Sequence, residues 1–284
     1  MAIDRHSSRT AYPNQRDDMT EPVLYEVFAL RYATRGGKRR DMILGGDPHD
    51  ADMPMDYYVW LLRNRDRVVL VDTGFDIDMA EKRHRTLLRA PRDALAMLGV
   101  NAGEVADVII THLHNDHVGT FADFPKATFH LQDSEMSFVT GRHMRHERFR
   151  RSFEIEHVTG MVRLLYKDRV HFHDGDDEIF PGISVHHVGG HTPGMQVVRV
   201  RTQRGWVVLA SDASHYYEHF ENDLCFPVVF HLGDLLAGYS RLRRLADSLK
   251  HIVPGHDPLV IRRYPAPSPA TEGIAASLHV PPIE

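Results

Sequence analysis

Cysteine is almost absent: Cys225 is the only one in 284 residues. No intramolecular disulfide can therefore staple the chain, and a lone sulfur of this kind reads as a small core residue. Long apolar runs are missing as well. No stretch approaches the roughly eighteen residues that a membrane-spanning helix needs, and the first residues show no apolar leader core. A cytoplasmic protein without membrane contact is the expectation. Excess positive charge is also lacking. The formal charge is −5 at pH 7, which leaves no footprint for nucleic acid despite local arginine clusters. Neither an internal repeat nor a low-complexity tract is present. The polar segment Met1–Glu21, with Pro13 and Asn14, reads as a disordered or loosely packed arm. Residues 22–284 read as one domain, for which a 42% hydrophobic content supplies ample core.

Histidine is what the chain has in abundance, 21 in all. The densest group is Thr111-His112-Leu113-His114-Asn115-Asp116-His117, an H-x-H-x-D-H arrangement. His112 and His114 are two residues apart, so at the end of an extended segment both imidazoles leave from one face. Asp116 and His117 follow where the chain must turn and can reach a second point nearby. Imidazole and carboxylate suit zinc and its borderline neighbours. A cluster this dense reads as half of a two-metal centre. So many histidines can produce a short pattern by chance, and the rest of the chain decides the matter. His191 in Gly189-Gly190-His191-Thr192-Pro193-Gly194, Asp212 after Trp206–Ala210, and His256 in Pro254-Gly255-His256-Asp257 each stand just past a strand-like run. That is where ligand-bearing loops belong.

Periodicity places strands at Val23–Arg31, Tyr57–Arg63, Val68–Asp72, Val105–Thr111 and Ala127–Gln132, then at Val170–His173, Ile183–Val188, Gln196–Arg201 and Trp206–Ala210. Helical pieces are expected at Ala80–Leu88 and Asp93–Leu98, along Asp133–Tyr166, and at Asp234–Lys250 with its apolar stripe. The glycine-bearing stretch Thr34–Met55 is expected to reach toward the site. Strands separated by helices, with chemistry on the loops, fit two sheets packed together under outer helices.

These motifs, together with Val69-Leu70-Val71-Asp72-Thr73-Gly74, resemble the metallo-β-lactamase-fold superfamily over about residues 23–260. Thr111–Gly119, Ala210-Ser211-Asp212-Ala213-Ser214 and Gly255-His256-Asp257 most resemble its N-acyl-homoserine lactonase, or quorum-quenching, branch. The resemblance implies an α+β fold, a four-layer αββα sandwich, with a helical insertion between the HxHxDH motif and the next ligand histidine. It implies two divalent ions, zinc foremost, with manganese, iron or cobalt as alternatives. His112, His114 and His191 would hold one ion, Asp116, His117 and His256 the other, and Asp212 both. Asp72 would orient a ligand histidine. A hydroxide between the ions would attack a lactone carbonyl, with Asp116 helping to move the proton to the leaving group.

Ligand identity narrows the superfamily. His114 stands where an oxygen-reducing diiron branch has a carboxylate, and Cys225 falls thirteen residues after Asp212, too late to be a zinc ligand. A glutathione-thioester hydrolase shares all seven ligands and stays open, as does a non-catalytic metal-binding or sensing member. The partners implied are a small lactone or ester and, for assembly, a monomer or homodimer. One departure stands out. The lactonases place a tyrosine three residues after the bridging aspartate; here that position is His215, followed by Tyr216 and Tyr217. His215, expected to titrate near pH 6–7, or Tyr216 would assist the substrate carbonyl. Met136, Phe138, Val139, Met144, Phe149, Phe153, Met161 and Leu165 line an acyl channel, or form ordinary core or a dimer face. The run Arg142–Arg151 reads as a solvated helix face. His171, His173, His186, His187, His219, His231 and His251 read as structural.

Overall fold

The computed structural model describes residues 22–49 and 51–283; the expected N-terminal arm lies outside them. The apolar runs form strands β1 (Glu26–Arg35), β2 (Met55–Arg63), β3 (Val68–Val71), β4 (Thr86–Leu87), β5 (Asp107–Ile109), β6 (Thr128–Gln132) and β7 (Val170–His173), followed by β8 (Asp177–Phe180), β9 (Ile183–His187), β10 (Gln196–Thr202), β11 (Gly205–Ser211), β12 (Ile252–Pro254) and β13 (Ala275–Ser277). The first sheet runs β13-β1-β2-β3-β5-β6-β7, with β4 paired to β1; the second runs β12-β11-β10-β9-β8. Pairing is antiparallel from β13 to β3 and parallel from β3 to β7. In the second sheet only β11 and β12 run parallel.

Alternation along the strands divides the side chains between two cores. Tyr57, Val59 and Leu61 of β2 face one apolar cluster, which includes Leu95, Met136, Phe138 and Met161 from helices on the outside of the first sheet. Tyr58, Trp60 and Leu62 face the other, with Val185, Val198 and Val200 of the second sheet and Leu235, Tyr239 and Leu242 beyond it. A strand buried on both faces reads as an unbroken apolar run, which accounts for Tyr57-Tyr58-Val59-Trp60-Leu61-Leu62. The layers are thus helix, sheet, sheet, helix: an α+β sandwich. Among the described residues no helix is long and apolar enough to cross a membrane.

Several local expectations are corrected. The segment 133–166 is not one helix. It comprises helices Asp133–Val139, Glu147–Arg150 and Ile155–Leu165, with a 3-10 turn at Arg142–Arg145. Gly141 follows the first helix, and a continuous helix through Arg142–Arg151 would stack like charges one turn apart. The helix before β4 is Ile77–Lys82, capped by Asp76 accepting from Met79 N–H. The last long helix is Leu232–Leu245, and it stops where Ala246 turns extended. Cys225 is only half-buried, packed at the margin of the second core. The stretch after Thr34 packs over the segment that follows Asp212: Arg39 donates to Glu218 (2.7 Å) and Leu44 N–H to the Cys225 carbonyl (2.8 Å).

Candidate metal centre

Four strand ends feed one point. The loop after β5 carries His112 and His114, and the short helix Asn115–Val118 carries Asp116 and His117. From the second sheet, His191 follows β9, Asp212 follows β11 and His256 follows β12. The backbone of the first loop is held by its neighbours. Tyr32 donates its hydroxyl to the Asp116 carbonyl (2.8 Å), and Thr73 N–H donates to that of His117 (2.7 Å). Gly190 must be glycine: its φ is +82°, and a Cβ there would lie 2.6 Å from the Leu235 backbone.

All seven expected ligands are buried. The potential ligand atoms of His112, His114, His191 and Asp212 lie within 4.8 Å of one another, as do those of Asp116, His117 and His256. Asp212 touches both sets. Its Oδ2 is 3.2 Å from His191 Nε2 and 3.9 Å from His112 Nε2; its Oδ1 is 2.9 Å from His256 Nε2 and 3.4 Å from His117 Nε2.

The hydrogen bonds on the far sides of these rings fix what the near sides can offer. His117 Nδ1 faces Asp72 Oδ2 (2.7 Å), His191 Nδ1 the Val228 carbonyl (2.6 Å), and His256 Nδ1 the Asp56 carbonyl (2.9 Å). Each of those partners accepts, so each ring carries its proton at Nδ1 and turns the Nε2 lone pair inward. Three lone pairs and a carboxylate then converge. His112 Nε2, His117 Nε2 and Asp212 Oδ1 are sealed from solvent and have no hydrogen-bond partner. Acceptors facing acceptors at these distances demand positive charge between them, and five imidazoles with two carboxylates suit zinc-like divalent ions.

The electrostatics agree. Burial and the neighbouring imidazoles hold His112 and His114 well below their usual pKa, so both are neutral and ready to ligate. Burial would push His117 down, but Asp212, Asp72 and Asp116 carry it well above the usual range, so without an ion its Nε2 takes up a second proton that a bound metal would displace. Burial would likewise raise Asp116, yet Arg85, His117 and His256 keep it ionised.

The residue three after Asp212 does arrive at the centre. His215 Nε2 is 3.0 Å from Asp212 Oδ2, and its ring stacks on Phe226 at 3.8 Å. Burial pushes its pKa down to about 4 despite that carboxylate, not to the expected range near 6–7. Tyr216 turns elsewhere: its hydroxyl donates toward the carbonyls of Met53 (3.4 Å) and Pro54 (3.3 Å). Asp72 stands at φ +60° at the end of β3 and accepts from Thr111 N–H and Oγ1, both at 2.8 Å, besides facing His117.

Three residues of the site carried no signal in the sequence. Glu135, fully buried, accepts from Leu113 N–H (2.9 Å), Thr192 Oγ1 (2.7 Å) and Gly194 N–H (3.1 Å). It ties the HxHxDH loop to the His191 loop. Arg85 sets Nη1 3.4 Å from Asp116 Oδ2 and lies over the Tyr57 ring. Tyr57 in turn packs edge-on against His256. The phenylalanines of the interrupted helical segment reach the centre too. Phe153 lies 4.5 Å from the His114 ring, and Phe138, Phe149 and Phe230 join it around a narrow cleft that opens on His114 and His191.

Residues 53–264 match the metallo-beta-lactamase superfamily, and the chain belongs to it. Two relatives place it further. It is 29% identical over 221 residues to an N-acyl homoserine lactonase of a Bacillus species, covering 72% of this chain and 82% of the relative. It is 28% identical over 223 residues to a probable metallo-hydrolase of Mycobacterium tuberculosis, covering 70% and 69%. Among solved structures, a quorum-quenching N-acyl homoserine lactone lactonase superposes with a TM-score of 0.70 at 22% identity, over 84% of this chain and 94% of that one. A probable metal-dependent hydrolase from Staphylococcus aureus does so with 0.70 at 15% identity, over 86% and 92%. Family and relatives together make this chain a metal-dependent hydrolase related to the lactonases.

Proposed function

We propose that this enzyme opens lactone rings, acyl-homoserine lactones foremost, with two divalent metal ions, zinc by preference. The observation that carries the reading is Asp212, whose two carboxylate oxygens each face a different set of ligand atoms. His112, His114 and His191 would hold one ion, Asp116, His117 and His256 the other, and Asp212 both. When bound, such a pair supplies Lewis acidity and a water of lowered pKa. The chain's own residues do the rest. Asp72 and the carbonyls of Asp56 and Val228 keep three imidazoles in the tautomer that presents Nε2. Asp116, kept ionised beside Arg85, can accept a proton near the reacting atoms and return it to the leaving oxygen. His215, neutral at physiological pH, has one N–H, shared at Nε2 with Asp212 Oδ2; with that oxygen given over to the ions the N–H would be free for the substrate, and the Tyr216 hydroxyl is held by the 53–54 carbonyls. The rings of Phe138, Phe149, Phe153 and Phe230 enclose only about 20 Å³ and would have to part to admit an acyl chain, so the lactonase relatives carry the substrate class.

The test is a panel on metal-replete protein: acyl-homoserine lactones, simple γ- and δ-lactones, aryl esters and glutathione thioesters. Lactones should show the highest kcat/KM, chelation should abolish turnover, and added zinc should restore it. Turnover of thioesters without ring opening would overturn the lactone assignment. Full activity with a single tightly bound ion would overturn the two-ion mechanism.

A further inference from the structure

A second cluster of histidines lies away from the centre, at the edge of the first sheet. β6 and β7 run parallel with His130 in register with His171, and His171 and His173 leave β7 on one face. Their rings gather there: His171 is 4.9 Å from His173 and 5.6 Å from His130, while His130 stacks on His173 at 5.4 Å. The tight turn through Asp174-Gly175-Asp176, with Gly175 at φ +95°, brings Asp177 of β8 back against His173.

The hydrogen bonds in this cluster do not balance. Asp107 Oδ1 faces His130 Nε2 at 3.3 Å, His130 Nδ1 faces His173 Nε2 at 3.1 Å, and His173 Nδ1 faces Asp177 Oδ2 at 2.8 Å. Three contacts need three hydrogens, and two neutral imidazoles bring only two. One positive charge is therefore missing from the chain of four groups. At the Asp107 end, Arg67 Nη1 stands 3.7 Å from the carboxylate. At the Asp177 end the only described ion-pair partner is His173 itself, so the deficit falls there.

A proton between His173 and Asp177 would use two donor atoms. The structure offers a third. Potential ligand atoms of His171, His173 and Asp177 all lie within 4.8 Å of one another. We propose that His171, His173 and Asp177 form an accessory site for a zinc-like divalent ion, separate from the catalytic centre. Two imidazoles and a carboxylate are a common zinc set, with solvent as the fourth ligand at an edge where His171 and Asp177 are exposed. His130 then donates from Nε2 to Asp107 and accepts from His173 Nε2–H, the arrangement in which a neighbouring group orients a ligand imidazole. An ion here joins β7 to β8, the last strand of each sheet, and so clips the two sheets together at their open end.

The experiment counts zinc. Wild type and a His171→Ala/Asp177→Asn double variant are dialysed against the same micromolar free zinc, and bound metal per chain is measured by mass spectrometry. Both side chains are exposed, and circular dichroism verifies that the variant is folded. The variant should hold one zinc fewer per chain than wild type. Because the readout is a difference, it does not depend on how many ions the catalytic centre takes. A second measurement compares thermal midpoints: zinc should raise that of wild type more than that of the variant, while the two coincide in chelator. Equal zinc content overturns the site, as does an equal zinc-induced shift.

Discussion

Replacing Glu135 should damage the centre without removing a single metal-facing atom. Its carboxylate receives Leu113 N–H from one ligand loop and the Thr192 hydroxyl and Gly194 N–H from the other. Gly194 is pressed so closely on this residue that a Cβ would lie 2.2 Å from Glu135 N, and the carboxylate is fully buried. Glu135→Gln keeps one oxygen for Leu113 N–H. The Thr192 hydroxyl can rotate to accept from the new amide, but Gly194 N–H then faces a donor. One buried unsatisfied N–H costs about 1–3 kcal/mol, which for a chain of this size lowers the thermal midpoint by about 2–6 °C. Glu135→Ala would strand all three donors, at about 3–9 kcal/mol. That approaches the whole stability of a small protein, about 5–15 kcal/mol, so the Gln variant is the informative one. Because His191 is three residues from Gly194, metal affinity should fall roughly 10–100-fold, chiefly for the ion held by His112, His114 and His191. The assays are a melt in chelator and a zinc titration with a competing chromophoric chelator. A Gln variant with wild-type midpoint and zinc affinity would refute the reasoning.

Asp212→Ala should strip both ions, whereas His256→Ala should mainly weaken the set with Asp116 and His117; metal content by mass spectrometry after dialysis distinguishes them. His215→Ala should lower kcat by about 10²–10³ if its imidazole assists the transition state and leave metal content intact. Kinetics at matched metal loading that show the loss in Tyr216→Phe instead would transfer the role. His219 gives a pH prediction. It is fully buried with neither ring nitrogen partnered, and burial, aided by His215 and Arg39, pushes it down to about 3. Its folded pKa lies below the unfolded one, so the unfolded chain binds more protons. The stability present above about pH 6.5 should therefore be lost as pH falls toward 3, by about 1.4 kcal/mol per pH unit for this group. His219→Phe, with a ring that can still stack on Phe226, should flatten that part of the denaturation profile and change little at pH 8. An unchanged acid slope would count against it.

The convergence of the seven candidate ligands was legible because each sits at a strand end beside a turn residue, and two-residue spacing survives any tertiary arrangement. His112 and His114 needed only the end of β5 to share a face. Glu135, Arg85 and Tyr57 were illegible for the opposite reason. Each reaches the centre from its own distant segment by packing, and a lone Glu or Arg in a helix-prone run has no local mark. The strands that sequence reasoning missed are the two-residue β4, which falls inside the expected helix Ala80–Leu88, β8, whose Asp-Glu-Ile-Phe start is polar, and β13, which is made of Ala-Ala-Ser. None has the apolar alternation that announces a strand. The break in the segment 133–166 was visible in principle at Gly141 and in the crowded arginines, but an apolar periodicity of helical type ran on both sides of it.

The candidate ligands are divided between the two sheets: four come from the loop after β5 in the first, and three from loops after β9, β11 and β12 in the second. Neither sheet owns a complete set, and Asp212, the residue common to both sets, belongs to the second. Metal occupancy is therefore a gauge of sheet docking. Any event that slides one sheet on the other, whether a distant core mutation, mild denaturant or pressure, must lengthen ligand distances before it exposes the core. Metal release should thus precede the loss of tryptophan burial at Trp60 and serve as an early reporter of unfolding. Conversely, ions added to a loosened variant act across the interface and pull the two halves of the sandwich back into register.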